Sequence, residues 1–143
     1  MIERPTSLNP AIRILESVLA ALQAETQRNP ARECCGLLAG REGVITHLFL
    51  AENVAADPAK NYEIAPREIC RLMREFRSAG LEFLGIYHSH PNGENKPSAR
   101  DIELAYYSEE VYFILSPRLD AAKPVRAFSI RDGHATELLI EEI

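Results

Sequence analysis

Apolar residues at Ile12, Leu15, Val18, Leu19 and Leu22 recur at helical spacing and predict a first helix from about Pro10 to Gln27. Asn9 stands where an N-cap belongs, Pro10 takes the first helical position, and Asn29-Pro30 ends the segment. A second stripe of Ile69, Leu72, Met73 and Phe76 follows Pro66 and precedes Gly80, giving a helix closed by a glycine. Between these stripes the period changes. Cys34–Gly40 and Val44–Leu50 are short apolar runs around Arg41-Glu42-Gly43, the pattern of a hairpin. Residues 51–61 read as loop, with Tyr62-Glu63-Ile64 as a short strand.

Leu81–Tyr87 reads as a buried strand running directly into His88, and Ser89–Pro97, rich in proline, glycine and asparagine, reads as loop. Ser98-Ala99-Arg100-Asp101 opens a third helix, extending from Ala99 to about Tyr107. Val111–Leu115 is a strand stopped by Ser116-Pro117, and 125–130 with 135–140 form a hairpin around Asp132-Gly133. Helices and strands mix without strict alternation, so the expected class is α+β (mixed α/β), a central mixed sheet flanked by helices.

At 143 residues the chain is expected to form a single domain over 1–143. No apolar stretch approaches the ~20 residues of a membrane span, and the first residues lack an apolar leader. Sixteen Lys and Arg against twenty-one Asp and Glu leave a net charge of −5 with the signs interspersed, which argues against a nucleic-acid or anionic-membrane partner. Cys34, Cys35 and Cys70 cannot pair evenly, and vicinal cysteines rarely form an unstrained bridge. A reducing, cytoplasmic setting is therefore expected, with Cys34 and Cys35 as small buried side chains rather than nucleophiles.

Two of the four histidines, His88 and His90, lie one residue apart where a buried strand leaves the core. Side chains two apart on a strand share a face, so both imidazoles can reach one ion. Alone, the pair reads more simply as two polar residues at a strand end. Ser98 and Asp101 have the spacing of a capping box, and an acid in a first helical turn can still lend an oxygen to a metal. Two histidines and a carboxylate are a usual ligand set for catalytic zinc. Glu33 precedes a central apolar run, an expensive place for a carboxylate unless it is paired or opens onto a cleft; a solvated strand-edge glutamate is the simpler alternative.

Taken together, Glu33…His88-Ser89-His90-x7-Ser98-x-x-Asp101 resembles the motif of the JAMM (MPN+, JAB-type) zinc metalloprotease family at every position. The run Glu33-Cys34-Cys35-Gly36-Leu37-Leu38, Asn53 after the second hairpin strand and the apolar strand into His88-Ser89-His90-Pro91 are similar to small stand-alone prokaryotic members. The likeness extends over roughly residues 8–140.

The resemblance implies a cytidine-deaminase-like MPN/JAMM fold and one Zn²⁺ per chain, held by His88, His90 and Asp101. It implies Glu33 as general base toward a zinc-activated water and Ser98 as hydrogen-bond donor to the oxyanion. The reaction would be amide or isopeptide hydrolysis without a covalent intermediate. Inserted segments that grip ubiquitin chains in eukaryotic relatives have no counterpart here. Small bacterial relatives process ubiquitin-like sulfur-carrier proteins, so the expected substrate is such a carrier, or its C-terminal adduct, cut at the Gly-Gly end. Asn53 and the edge of a strand at Tyr62 would bind the extended tail.

Two rivals stand beside this. One is a non-catalytic scaffold of the same fold, although such relatives lose the ligands that this chain keeps. The other is a cupin-type metal protein, suggested by His88-x-His90-x3-Glu94; Asp101 stands where that motif wants glycine, only His134 could close it, and the helical stripes suit a barrel poorly. His47 and His134 alternate with apolar neighbours and read as solvent-facing strand positions.

Overall fold

Residues Cys35–Arg41 form a strand (β3) whose positions are buried on both faces until Arg41, which is why the run carries almost no polar alternation. Cys35, Leu37 and Ala39 face one apolar cluster, while Leu38 faces a second on the other side of the sheet. This computed structural model describes residues 2–3 and 11–143, the first pair in backbone only. Two helices cover the two faces. α1 (Glu16–Arg28) buries Val18 and Leu22 among Ile14, Ile45, Tyr87, Phe113 and Leu115. α2 (Pro66–Ala79) buries Leu72 and Phe76 among Leu37, Ile86, Tyr112 and Ile114. Gly80 ends α2 at φ 69°, where its N–H reaches Arg77 O and the Leu81 N–H reaches Phe76 O, the paired bonds of a Schellman motif.

The remaining strands are β1 (Ile2–Glu3), β2 (Ile12–Ile14), β4 (Val44–Ala51), β5 (Glu82–Ser89), β6 (Val111–Leu115), β7 (Val125–Arg131), β8 (His134–Leu138) and β9 (Ile140–Glu142). They make one mixed sheet in the order β1-β8-β7-β6-β5-β3-β4-β2-β9. Both expected hairpins form, β3–β4 and β7–β8, with positive φ at Glu42 and Gly43 in one turn and at Asp132 and Gly133 in the other. β8 and β9 are separated by Leu139 alone yet pair at opposite ends of the order, so the sheet is rolled and its two ends converge at that residue.

The mixed sheet with flanking helices agrees with the expected class; four local expectations do not hold. The first helix starts at Glu16 rather than near Pro10, because Ile12–Ile14 are extended and pair in parallel with β4 and β9. The expected cap at Asn9 and Pro10 lies outside the described residues. Tyr62–Ile64 is irregular rather than a strand, since Glu63 N–H turns to the side chain of Asn53 instead of a neighbouring strand. The third helix, α3 (Ala99–Glu103), stops well before Tyr107, whose N–H is taken by the Tyr112 hydroxyl at 3.0 Å. The last strand breaks at Leu138 instead of running to Ile140.

Gly36 sits where any side chain would meet Phe49 O and the ring of Tyr87, which is fully buried. Gly36→Ala is therefore expected to destabilise the fold by about 1–3 kcal/mol, the usual cost of overpacking, because a backbone oxygen cannot step aside. Chemical denaturation checks this, with the midpoint falling at unchanged slope.

Candidate functional site

Antiparallel pairing of β3 with β5 sets Cys35 opposite His88 and Gly36 opposite Tyr87. Continued outward, the same register brings Glu33 level with His90 and on the same face of the sheet. Two bonds lock it there: Ser89 N–H donates to Cys34 O (3.1 Å), and Cys34 N–H donates to Ser89 Oγ (2.9 Å). Asp101 arrives from α3, and Ser98 is the N-cap of that helix. Ser98 Oγ accepts from the Asp101 N–H at 3.1 Å, and Asp101 Oδ2 accepts from the Ser98 N–H at 3.0 Å. The capping box and the proposed ligand position are thus one structure.

His88 Nε2, His90 Nε2 and Asp101 Oδ2 converge. The distances are 3.1 Å between the two nitrogens, 3.0 Å from His90 to Asp101 and 3.3 Å from His88 to Asp101. Ligands ~2.0–2.1 Å from a tetrahedral zinc lie about 3.3 Å from one another, so this triangle suits such an ion with movements of a few tenths of an ångström. His90 Nδ1 lies 2.8 Å from Glu94 O and donates to it, so Nε2 is the nitrogen turned inward, where it shares a proton with Asp101 Oδ2 and would offer its lone pair to an ion once that proton is lost. That carbonyl is held in place by Asn95, a buried residue whose Nδ2 donates to Ile114 O and Lys123 O.

Electrostatics differ sharply among these groups. Burial keeps His88 neutral, against the pull of Asp101. In His90 the effect of burial is outweighed by the hydrogen bond to Asp101, the Glu94 carbonyl and the nearby carboxylates, and its pKa is raised. Asp101 is buried too, but bonds to both histidines and to the Ser98 N–H hold it well below the usual carboxylate range. Glu33, 5% exposed, is pushed up to about 7, chiefly by burial; His90 and Arg100 work against that rise and Asp101 adds to it.

Glu33, His90, Ser98 and Asp101 line one side of a cleft of about 760 Å³. Its floor is apolar: Leu37, Ile69, Ile86 and Tyr112. Tyr62 lines the cleft as well and lies flat on His88, ring centroids 4.3 Å apart and planes 17° from parallel. Asn53 is not in this wall. Its Nδ2 donates to Glu33 O and Asn61 O, and its Oδ1 accepts from Ala55 and Glu63, so the chain's own backbone uses its whole amide. Through these bonds the side chain ties Glu33 to the loop carrying Tyr62. Asn95 was not foreseeable from spacing, its one signal being an asparagine set among prolines and charges. His47 and His134 are exposed, as their alternation implied.

Burial pushes Cys34 up and Cys35 to about 12, and Cys35 Sγ points to Ala51 O at 3.7 Å.

Comparison with known proteins agrees with this architecture. A desampylase of Haloferax volcanii is 38% identical over 104 residues, covering 71% of this chain and 75% of its own. A probable TtuB-protein conjugate cleaving protease of Thermus thermophilus is 31% identical over 123 residues, 86% and 78% of the two chains. A CysO-cysteine peptidase of Mycobacterium bovis is 31% identical over 127 residues, 87% and 86%. Among solved structures, protein DSY2949 of Desulfitobacterium hafniense superposes with a TM-score of 0.79 at 26% identity, covering all of this chain and 93% of that one. Residues 15–131 match the family described as prokaryotic homologs of the JAB domain, and the chain belongs to that family.

Proposed function

We propose that this hydrolase is a zinc-dependent peptidase or isopeptidase that cuts the amide bond at the C-terminal Gly-Gly end of a ubiquitin-like sulfur-carrier protein. One observation carries the reading: two imidazole nitrogens and one carboxylate oxygen meet within 3.3 Å beside a buried glutamate that opens on the same cleft. The names of the relatives, a conjugate-cleaving protease and a CysO-cysteine peptidase among them, support the substrate class.

His88, His90 and Asp101 would hold Zn²⁺, which when bound would supply Lewis acidity for the scissile carbonyl and lower the pKa of water toward ~7. Glu33 takes the proton of the attacking water and later gives it to the leaving amine, a role suited to a carboxylate that is buried yet opens on the cleft. Ser98 spends its oxygen on the Asp101 N–H but keeps its own proton, which it donates to the oxyanion. Asp101 stays ionised throughout. No side chain forms a covalent bond with the substrate, in keeping with thiols held protonated by burial.

Glu33→Gln is expected to retain one zinc per chain and lose hydrolysis, whereas His88→Ala or Asp101→Ala loses the metal; metal analysis beside a cleavage assay separates the two outcomes. Glu33 also gives a signed pH dependence in protein kept free of metal by a chelator. Below about 4.5 the group is protonated in both folded and unfolded chains; between 4.5 and about 7 only the unfolded chain releases its proton, so stability falls as pH rises. The loss levels off above the folded value at about 3 kcal/mol. Metal-free Glu33→Gln is therefore expected to unfold at higher denaturant than wild type at pH 8, with the difference vanishing near pH 4. Ser98→Ala is expected to lower turnover by ~10²–10³ and stability by ~1 kcal/mol through the lost cap. The substrate class is tested by incubating zinc-loaded protein with ubiquitin-like carriers bearing C-terminal extensions. Mass spectrometry is expected to show trimming after Gly-Gly; cleavage of unrelated peptides at equal rates would overturn the carrier assignment.

A further inference from the structure

Of the three groups that meet at the site, two are braced by hydrogen bonds. His90 is held through Nδ1 by Glu94 O, and Asp101 through Oδ2 by the Ser98 N–H. His88 is not. Its Nδ1 is buried and has no hydrogen-bond partner among the described residues, although a metal-binding histidine almost always donates its second ring nitrogen to something. What meets His88 instead is the flat face of Tyr62, 4.3 Å away.

Tyr62 is itself fixed with unusual care for a residue on an irregular segment. Asn53 donates to Asn61 O at 2.9 Å and accepts from Glu63 N–H at 3.2 Å, bracketing Tyr62 on both sides. A third bond from Asn53 reaches Glu33 O, and Val54 N–H closes on Glu63 O at 2.9 Å. The ring is thus clamped relative to the backbone that carries Glu33.

We infer that Tyr62 is a positioning residue for metal binding, holding the plane of the His88 imidazole by stacking where a hydrogen bond would normally do so. The inference rests on His88 being a metal ligand. A stacked ring restricts rotation of the imidazole about its Cβ–Cγ bond but does not polarise its N–H. His88 is therefore oriented without being made more basic, whereas the Glu94 carbonyl both orients His90 and enriches it. The aromatic plane carries this role, and the Tyr62 hydroxyl does not.

The test is zinc affinity, measured by competition with a chromophoric chelator on the full chain, for wild type, Tyr62→Phe and Tyr62→Leu. Tyr62→Phe is expected to bind as wild type does. Tyr62→Leu is expected to bind ~10–100-fold more weakly, the usual cost of losing the support behind a metal-binding histidine, and to lose kcat even at saturating zinc. Tyr62→Leu with unchanged zinc affinity, and a defect confined to KM, would overturn the inference and leave Tyr62 as cleft wall. Wild type that binds no zinc would instead overturn the ligand assignment. Should Tyr62→Leu fail to fold, the His88 ring protons of wild type decide the matter: Tyr62 is expected to shift them upfield, and unshifted resonances would refute the stack.

Discussion

Where Glu33 lies relative to His88 and His90 depends on the antiparallel register of β3 against β5. Cys35 opposite His88 fixes Glu33 level with His90, and a slip of one residue between the strands would put the two on opposite faces of the sheet. The register is defended from both directions. Beyond Cys35 the two bonds between Cys34 and Ser89 hold the strand ends together. Inward, Gly36 leaves room for the ring of Tyr87, so only a residue without a side chain fits opposite that tyrosine. Alternation then divides the labour: Leu38 and Tyr87 pack toward α1, while Cys35, Leu37 and Ile86 pack toward α2 and run into the floor of the cleft.

The third corner of the site is held by more local means. α3 is only five residues long, too short to be stabilised by its own backbone bonds, and its capping box supplies what length does not. Asp101 Oδ2 accepts the Ser98 N–H and also faces both histidines, so the bond that starts the helix orients the carboxylate toward them. Folding of this turn and organisation of the site are therefore coupled.

What could be read from the chain followed the range of the interactions involved. The two hairpins, α2 and the Ser98–Asp101 box are decided within a few residues, and their local signals were sufficient. Glu33, His88, His90, Ser98 and Asp101 were recognisable as a set because their spacing is unusual, not because any one of them is. Distant partners hid the rest. Ile12 and Leu15 continue a helical stripe convincingly, but Ile12–Ile14 is claimed by β9 from the far end of the chain. The end of α3 is set by the hydroxyl of Tyr112, and the turning inward of Asn53 by carbonyls at Glu33 and Asn61. No periodicity encodes such contacts.

The two carboxylates of the cleft show how the same burial yields opposite behaviour. Asp101 and Glu33 are close enough to raise each other's cost of ionisation, yet Asp101 keeps its charge because three donors surround it, and Glu33, with desolvation as its main influence, gives way. The roles proposed for them follow this contrast: the strongly held one would serve as a permanent anion, the other as the group that exchanges protons. A divalent ion held as proposed would add two positive charges against these two negative ones, and the buried site would then be neutral when both are ionised. The cost of burying Glu33 is thus greatest in the metal-free chain. On the proposed reading, binding of the ion and ionisation of the base would belong to one charge balance, and the metal-free chain alone would bear the full cost of a glutamate buried at the mouth of its central strand.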